Sequence, residues 1–208
     1  MQVFSRKELN IIRKLNTPAK VQDYLNGLKF NFEKDKNGKM VETLKSPLFT
    51  LRTKKAHCFE GALLGAYILS LHRFTPYILH LASTPKDYDH VIVPFKTKNK
   101  LWGALSKTNH AVLRYREPVY RSIRELVMSY FHEYFLNNGT KTLRRYSKPL
   151  NLNTLGKSWV IDERNLWHID KKLDKINHYS IFPEAVGKFR KADKIERKAG
   201  KIVEYSGP

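Results

Sequence analysis

The sequence predicts an α+β fold, in which one buried helix is followed by an antiparallel β-meander and further helices flank this core on both sides. The first observation is an apolar run over residues 56–69, which is long enough for a helix. The second is a set of three strand patterns after it, over residues 77–82, 90–95 and 101–106. The third is the presence of helix-capping signals before the core and an amphipathic pattern after it.

The apolar run begins at the only cysteine of the chain, Cys58, which follows a basic, polar segment. Because the run is apolar on nearly every side, it predicts a buried helix rather than a surface helix. Gly61 and Gly65 would share one face and allow another element to approach the helix closely. At a helix start, unpaired N–H groups and the helix dipole favour a thiolate. A lone cysteine is also compatible with a small, inert core residue.

The strand patterns are separated by polar turn signals. Residues 84–89 predict a loop between the first two strands, and residues 97–100 predict a turn before the third. Pro94 interrupts the second pattern. Since proline has no N–H to donate to a ladder, it predicts that this strand lies at a sheet edge or at a bulge.

Two helices are predicted ahead of the core. Ser5 and Glu8 form a capping-box pattern for the first helix, and Thr17 before Pro18 begins the second. The following residues, 29–55, have no clear periodicity and predict an irregular segment that leads to Cys58.

One strong amphipathic helix is predicted after the strands. Glu117-Pro118 would begin it, an apolar face would run from Val119 to Tyr134, and Asn137-Asn138-Gly139 would end it. From about residue 141 onward the pattern is mixed, with a basic last stretch. We therefore predict a core domain with N-terminal helices over residues 1–150 and a basic extension packed on it over residues 151–208.

Composition limits the class of protein. At 208 residues with 41% hydrophobic residues, the chain can bury a core, and one cysteine leaves no partner for an intramolecular disulfide. No signal-peptide pattern and no apolar run of about 18 residues is visible, so we expect a cytoplasmic protein without a membrane span. The net charge of +20 would attract nucleic acid or another polyanion. A lysine-rich proteome would also account for this charge.

The order of these features resembles the transglutaminase-like superfamily, a branch of the papain-like cysteine enzymes. The shared features are a cysteine at a helix start, a strand that begins with a histidine, and a next strand that bears a tryptophan. The resemblance implies that Cys58 is the nucleophile and that His90, in Asp89-His90-Val91, is the base. The superfamily usually has an aspartate on the third strand, where this chain has Ser106. The His90 ring would then be held by Ser106 or by Asn109.

The whole chain is also similar to an uncharacterised bacterial family of such proteins. The similarity lies in residues 56–62, 89–91, 102–118 and 128–134. It implies a papain/transglutaminase-like core and names no substrate.

The resemblance implies a cysteine hydrolase or acyltransferase whose substrate is a peptide or a small amide or ester. No cofactor is expected. No metal is expected either, because Cys58 and the histidines at 57, 80 and 90 lack the spacing of a zinc site. Residues expected to contact the substrate are His57, Trp102, His110 and Arg114. His57 could instead be a structural residue at the helix start, and the polar residues 110–117 could instead form a salt-bridge cluster.

A second class of function remains open. On the same scaffold, a catalytically inactive binding module would use its basic surface to bind nucleic acid or another polyanion, weakly and with strong salt dependence. A thiol with a pKa below that of free cysteine favours the enzyme, whereas an inert thiol favours the binding module.

Overall fold

A computed structural model describes residues 3–35, 37–39, 41–183 and 188–206 as a mixed α+β fold. The helices in these ranges are α1 (Arg6–Lys14), α2 (Pro18–Asn26), α3 (Pro47–Thr53), α4 (Cys58–Leu71), α5 (Ile123–Phe131), α6 (Trp167–Lys175) and α7 (Lys194–Gly200). The strands are β1 (Lys29–Phe30), β2 (Lys55–Ala56), β3 (Tyr77–Ala82), β4 (His90–Lys96), β5 (Trp102–Leu105), β6 (Arg116–Tyr120), β7 (Arg145–Ser147), β8 (Leu150–Asn151) and β9 (His178–Ser180).

The predicted starts of the first helices are confirmed. At α1, Ser5 and Glu8 form a capping box in which the Glu8 N–H donates to Ser5 Oγ at 3.2 Å. At α2, Thr17 is the N-cap and Pro18 is the first helical residue. These local signals fix where each helix begins because they satisfy N–H groups that have no partner within the helix.

The central helix α4 begins at Cys58, as predicted, and most of its side chains are buried. It packs against α2, α3 and strand β4. Its buried residues belong to a large apolar cluster that also contains Trp159, Leu166 and Ile169 from the C-terminal part of the chain. The helix therefore needs no polar face, which explains why its sequence is apolar apart from a few residues such as Glu60.

Strands β3 to β9 form one seven-stranded sheet, with the order β6-β5-β4-β3-β7-β9 and β8 also paired with β3. All of its pairings are antiparallel, whereas β1 and β2 form a separate parallel pair. The predicted meander of β3, β4 and β5 is confirmed. On the other side of β3, the sheet is extended by β7 and β9, neither of which was predicted as a strand.

Alternating side chains of the sheet feed two apolar clusters. On β4, Val91 and Val93 belong to the cluster around α4, whereas Ile92 belongs to a second cluster with α5. The alternation follows from the period of two in a β-strand. The sheet therefore separates α4 from α5, and both faces of its central strands are covered.

Of the two positions predicted for the strand that contains Pro94, an edge or a bulge, the edge is wrong for the strand as a whole, because β4 lies between β3 and β5. The ladder between β4 and β3 extends only from the Leu79–Ile92 pair to the Leu81–His90 pair. Pro94 lies beyond this ladder and pairs with Ala104 on β5. The β4 strand lies inside the sheet, but at Pro94 it is paired only with β5. A proline is tolerated here because no hydrogen bond to β3 is required of its missing N–H.

Two other predictions in the flanking regions are wrong. Glu117-Pro118 lies within strand β6, which pairs with β5, and Val119 is 63% exposed. The helix begins only at Ile123, where Ser122 is the N-cap, and it ends at Phe131, before the predicted stop at residues 137–139. The segment 29–55 is not wholly irregular, because it contains α3 together with β1 and the start of β2.

Within the described ranges, every helix is too short or too polar to cross a lipid bilayer.

Candidate active site

A cleft of about 530 Å³ lies at the N-terminal end of α4 and is lined by both Cys58 and His90. Cys58 is the first residue of α4, and His90 is the first residue of β4. Cys58 is half-buried, whereas His90 is 7% exposed. The fold therefore brings together the two residues that the sequence predicts as nucleophile and base.

The protonation of His90 follows from a short chain of hydrogen bonds. The Ser106 hydroxyl donates to the Leu113 carbonyl oxygen at 2.7 Å, which uses its only proton. Ser106 Oγ lies 2.8 Å from His90 Nε2, so it must accept a proton from that nitrogen. His90 therefore has its proton on Nε2, and the lone pair on Nδ1 is available as a base. A serine does here what an aspartate does in the usual triad, but without adding a negative charge.

Two independent contacts fix the position of Ser106. The first is the strand register, in which Val93 pairs with Leu105, so that Ser106 comes opposite Ile92. Ser106 is therefore a diagonal cross-strand neighbour of His90. The side-chain amide of Gln22, from α2, donates to the Ser106 carbonyl at 2.9 Å and accepts from its N–H at 2.9 Å. Gln22 is 3% exposed, so this amide holds the Ser106 backbone through two buried hydrogen bonds.

His57 is the N-cap of α4 and contributes a second imidazole beside Cys58. Its Nε2 lies 2.7 Å from the Thr43 carbonyl oxygen, which can only accept, so this nitrogen carries a proton. Its Nδ1 lies 3.3 Å from the Phe59 N–H, a long and weak contact that is given up when Nδ1 takes a proton. Burial lowers the pKa of His57, but the Cys58 thiolate, Glu60 and the Thr43 carbonyl outweigh it and raise the pKa to about 9.

The electrostatics around Cys58 favour its ionised form. Burial raises the pKa of the thiol, but hydrogen bonding and positive charge from His57 and His90 outweigh burial and hold the pKa well below its ordinary value. The position at the start of α4 adds the positive end of the helix dipole. At neutral pH the favoured state is therefore a Cys58 thiolate beside a protonated His57, with His90 close by.

A buried carboxylate holds the start of α4 in place. Glu60 is fully buried, and its two oxygens accept from the Thr43 hydroxyl at 2.8 Å and from the N–H groups of Lys45 and His57, both at 3.2 Å. The side-chain amide of Asn31 donates to it at 3.1 Å. Because these donors come from the segment before α4, Glu60 ties that segment to the helix that bears Cys58.

The other residues predicted for the site are placed differently. Asn109 lines the cleft, but its amide is bound to the backbone of Tyr205, so the His90 ring is held by Ser106. His110 lines the cleft, with its Nδ1 3.0 Å from the Gly200 carbonyl oxygen. Trp102 and Arg114 do not line it. Trp102 packs with the second apolar cluster, and Arg114 forms an ion pair of 2.6 Å with Glu204, which lies outside the polar segment 110–117.

Asp89 contacts His80 and not His90, which is next to it in the sequence. Its carboxylate lies 2.9 Å from Nε2 of His80 on β3 and accepts from the Ser83 N–H at 2.7 Å. His80 Nδ1 lies 3.0 Å from Nε2 of His178, whose Nδ1 faces the Ile176 carbonyl oxygen at 2.8 Å. These contacts link Asp89 through the two imidazole rings to the backbone of Ile176, so Asp89 does not hold the His90 ring.

Sequence reasoning missed several residues that shape the site. Gln22 gave no signal, because its partner Ser106 is 84 residues away in the chain. Glu60 gave a signal that was not used, since it is the only acidic residue in an otherwise apolar helix. Lys107 lines the cleft and is 1% exposed, and its ammonium group donates to the Leu28 carbonyl oxygen.

Comparison with known proteins does not assign the chain to a family. The chain matches no protein-family model, and a search of curated proteins gives no significant match. In the described ranges, no three His, Cys, Asp or Glu side chains are grouped in a way that could hold a metal ion. The geometry of the cleft is therefore the main indication of function.

Proposed function

We propose that this chain is a transglutaminase-like cysteine hydrolase or acyltransferase that acts on an amide or an ester. The observation that carries the proposal is the hydrogen-bond chain from Leu113 through Ser106 to His90, which leaves the Nδ1 lone pair free in the same cleft as Cys58. A papain/transglutaminase-like core is consistent with the order of these residues in the chain. The cysteine is at the start of α4, the histidine is on β4, and the residue that holds its ring follows β5.

The first half of the proposed reaction is acylation. The Cys58 thiolate attacks the carbonyl carbon, and negative charge moves to the carbonyl oxygen, where backbone N–H groups at the start of α4 stabilise it. When the tetrahedral intermediate collapses, the amine or alcohol leaves with the proton that His90 took from the thiol. The products are a thioester at Cys58, a free amine or alcohol, and neutral His90.

The second half is deacylation. His90 Nδ1 takes a proton from water, or from an acceptor amine, as its oxygen or nitrogen attacks the thioester carbon. Collapse of this intermediate expels the Cys58 thiolate and restores the protonated histidine. Throughout, His57 holds a positive charge beside the sulfur, and Ser106 accepts from His90 Nε2, so that Nδ1 is the nitrogen that takes and gives the proton.

The test is the rate of Cys58 alkylation by iodoacetamide from pH 4 to pH 10, followed by the mass of the intact chain. Because Cys58 is the only cysteine, every added mass reports on it. We expect a midpoint well below that of the same chain unfolded in urea, where a free thiol titrates at about 8.5. His90→Ala and His57→Ala should each raise the midpoint. His168→Ala, at an exposed position on α6, is the matched control and should not change it.

A second measurement tests the chemistry directly. Incubation with p-nitrophenyl acetate should place an acetyl group on Cys58 and then release it to water or to an added amine, and His90→Ala should slow both steps. A folded chain whose alkylation midpoint equals that of the unfolded chain contradicts the proposal. In that case, the net charge of +20 makes the binding module the better explanation, and steeply salt-dependent binding to RNA or heparin would support it.

A further inference from the structure

A C-terminal strap, residues 201–206, follows helix α7 and pairs with residues 109–111, of which Asn109 and His110 line the cleft. Val203 forms an antiparallel bridge with His110. On either side of this bridge, the Ala111 N–H donates to the Ile202 carbonyl at 3.0 Å, and the Glu204 N–H donates to the Asn109 carbonyl at 3.0 Å. The strap is therefore held to residues 109–111 by backbone hydrogen bonds around an isolated β-bridge, the type of bond by which proteins also hold extended peptides.

The side chain of Asn109 extends this pairing by one residue. Its Oδ1 accepts from the Tyr205 N–H at 2.8 Å, and its Nδ2 donates to the Tyr205 carbonyl at 2.8 Å. An amide that makes both hydrogen bonds to one residue reads the peptide backbone and not the identity of the side chain. Asn109 can therefore hold any extended chain in this register.

Two side chains of the strap are recognised individually. The Glu204 carboxylate lies 2.6 Å from the guanidinium of Arg114. The Tyr205 ring lies 5.7 Å from the ammonium group of the buried Lys107, and its hydroxyl lies 3.4 Å from the Leu28 carbonyl oxygen. These contacts select an acidic residue followed by an aromatic residue.

The rest of the strap contributes little to its binding. Ile202 is 58% exposed and Val203 is 41% exposed, so neither apolar side chain is buried against the domain. The strap is thus held by backbone hydrogen bonds and by two side chains, and a ligand with the same features can displace it. Gly200 and Lys201, which come just before these residues, line the cleft together with Cys58 and His90.

We propose that residues 107–114 form a binding site for an extended polypeptide with an acidic residue followed by an aromatic residue, and that the strap occupies this site as a tethered ligand. A polypeptide held in the same register presents the residues before its acidic–aromatic pair to the cleft. The site therefore makes an extended polypeptide the substrate class. That last step rests on the function proposed above, whereas binding itself does not.

The experiment measures the binding of a fluorescein-labelled peptide with the sequence of residues 201–206, by fluorescence anisotropy. The protein is the full chain with Cys58→Ser, so that no acyl transfer contributes. The double variant Glu204→Ala/Tyr205→Ala weakens the binding of the tethered strap to its site. We expect this variant to bind the peptide at least tenfold more tightly than the chain with the unaltered strap does. The matched control is Ile202→Ala/Val203→Ala, which changes two exposed side chains and should leave the site occupied.

Specificity is tested with the protein that has the weakened strap. Asn109→Ala removes two hydrogen bonds and should weaken peptide binding roughly 20-fold. A glutamine in place of the peptide's glutamate should weaken binding about fivefold, because a partly exposed ion pair is lost. A scrambled peptide of the same composition should not bind. Equal binding of the scrambled peptide, or no gain from Glu204→Ala/Tyr205→Ala, would overturn the proposal.

Hydrogen exchange gives a measurement that does not depend on the added peptide alone. The Ala111 amide should exchange faster in Glu204→Ala/Tyr205→Ala than in the control, and added peptide should slow it again. Unchanged exchange in all three conditions would contradict a displaceable strap. If the peptide binds but Cys58 shows no lowered pKa, the peptide site stands and the proposed enzyme does not. If the pKa of Cys58 is lowered but the peptide does not bind, the proposed enzyme stands and the peptide site does not.

Discussion

Replacing Gly61 by alanine tests how closely helix α4 must approach the residues that follow β5. A Cβ atom at Gly61 would lie 2.3 Å from Cβ and 2.9 Å from Cγ of Lys107. These atoms are at the base of the lysine side chain, so they cannot swing away without moving the backbone. Because Lys107 directly follows Ser106, a shift here displaces the residue that holds the His90 ring.

The expected loss of stability combines three effects. Alanine instead of glycine inside a helix stabilises the fold by about 1 kcal/mol. Overpacking costs about 2 kcal/mol, and loss of the buried hydrogen bond from Lys107 to Leu28 costs about 2 kcal/mol more. The net change in the free energy of unfolding is a loss of about 3 kcal/mol, which for a chain of this size lowers the Tm by about 6–12 °C.

Gly65→Ala is the matched control, because it makes the same substitution one helical turn later. There the added Cβ would meet the terminal methyl groups of Leu105 at 3.1 Å and Leu25 at 3.3 Å, and these can move by a few tenths of an ångström. Its stability should stay within about 1 kcal/mol of the parent. Denaturant unfolding gives both values, and iodoacetamide gives the Cys58 reactivity, which should fall only in Gly61→Ala. Equal stability of the two variants would refute this account of the packing.

Three further predictions concern single side chains. Ser106→Ala should slow Cys58 alkylation at pH 7 about fivefold, because a hydrogen bond worth about 1 kcal/mol no longer fixes the base, whereas Ser106→Thr should retain the rate; equal rates in both would show that the hydroxyl has no role. Glu60→Gln should lower the free energy of unfolding by about 3 kcal/mol, since a donor amide would face buried donors, and denaturant unfolding of the two chains checks this. Burial raises the pKa of Asp89, but its hydrogen bonds to His80 and Ser83 outweigh burial and lower it. Asp89→Asn should therefore cost up to about 1 kcal/mol at pH 7. This difference should be present above the unfolded pKa of about 3.9 and should disappear as the pH falls through the folded pKa, and thermal melts across pH would detect a difference that persists in acid.

Short-range patterns in the sequence were sufficient for the core elements. The apolar run predicted α4 and its start at Cys58, and short strand patterns separated by polar turn residues predicted β3, β4 and β5. Capping residues gave the starts of α1 and α2. These features depend on residues that are close together in the chain, which is why the cysteine at a helix start and the histidine at a strand start could be predicted from the sequence.

Only the tertiary structure decided which elements pair. Glu117-Pro118 has the pattern of a helix start, but residues 116–120 pair with β5 and form a strand. Pro94 is read as an edge residue, but the neighbouring strands enclose β4 and leave one side unpaired at that residue. Local propensity is worth little compared with the backbone hydrogen bonds and burial that a sheet provides.

The same distinction holds within the site. The sequence determined that a cysteine would begin the buried helix and that a histidine would begin a strand after it. It did not determine that Ser106 would hold the ring, that Gln22 would fix Ser106 from 84 residues away, or that Asn109 would bind Tyr205 from 96 residues away. Such hydrogen bonds have no periodic signal along the chain, because they form only where long-range packing brings a donor and an acceptor together.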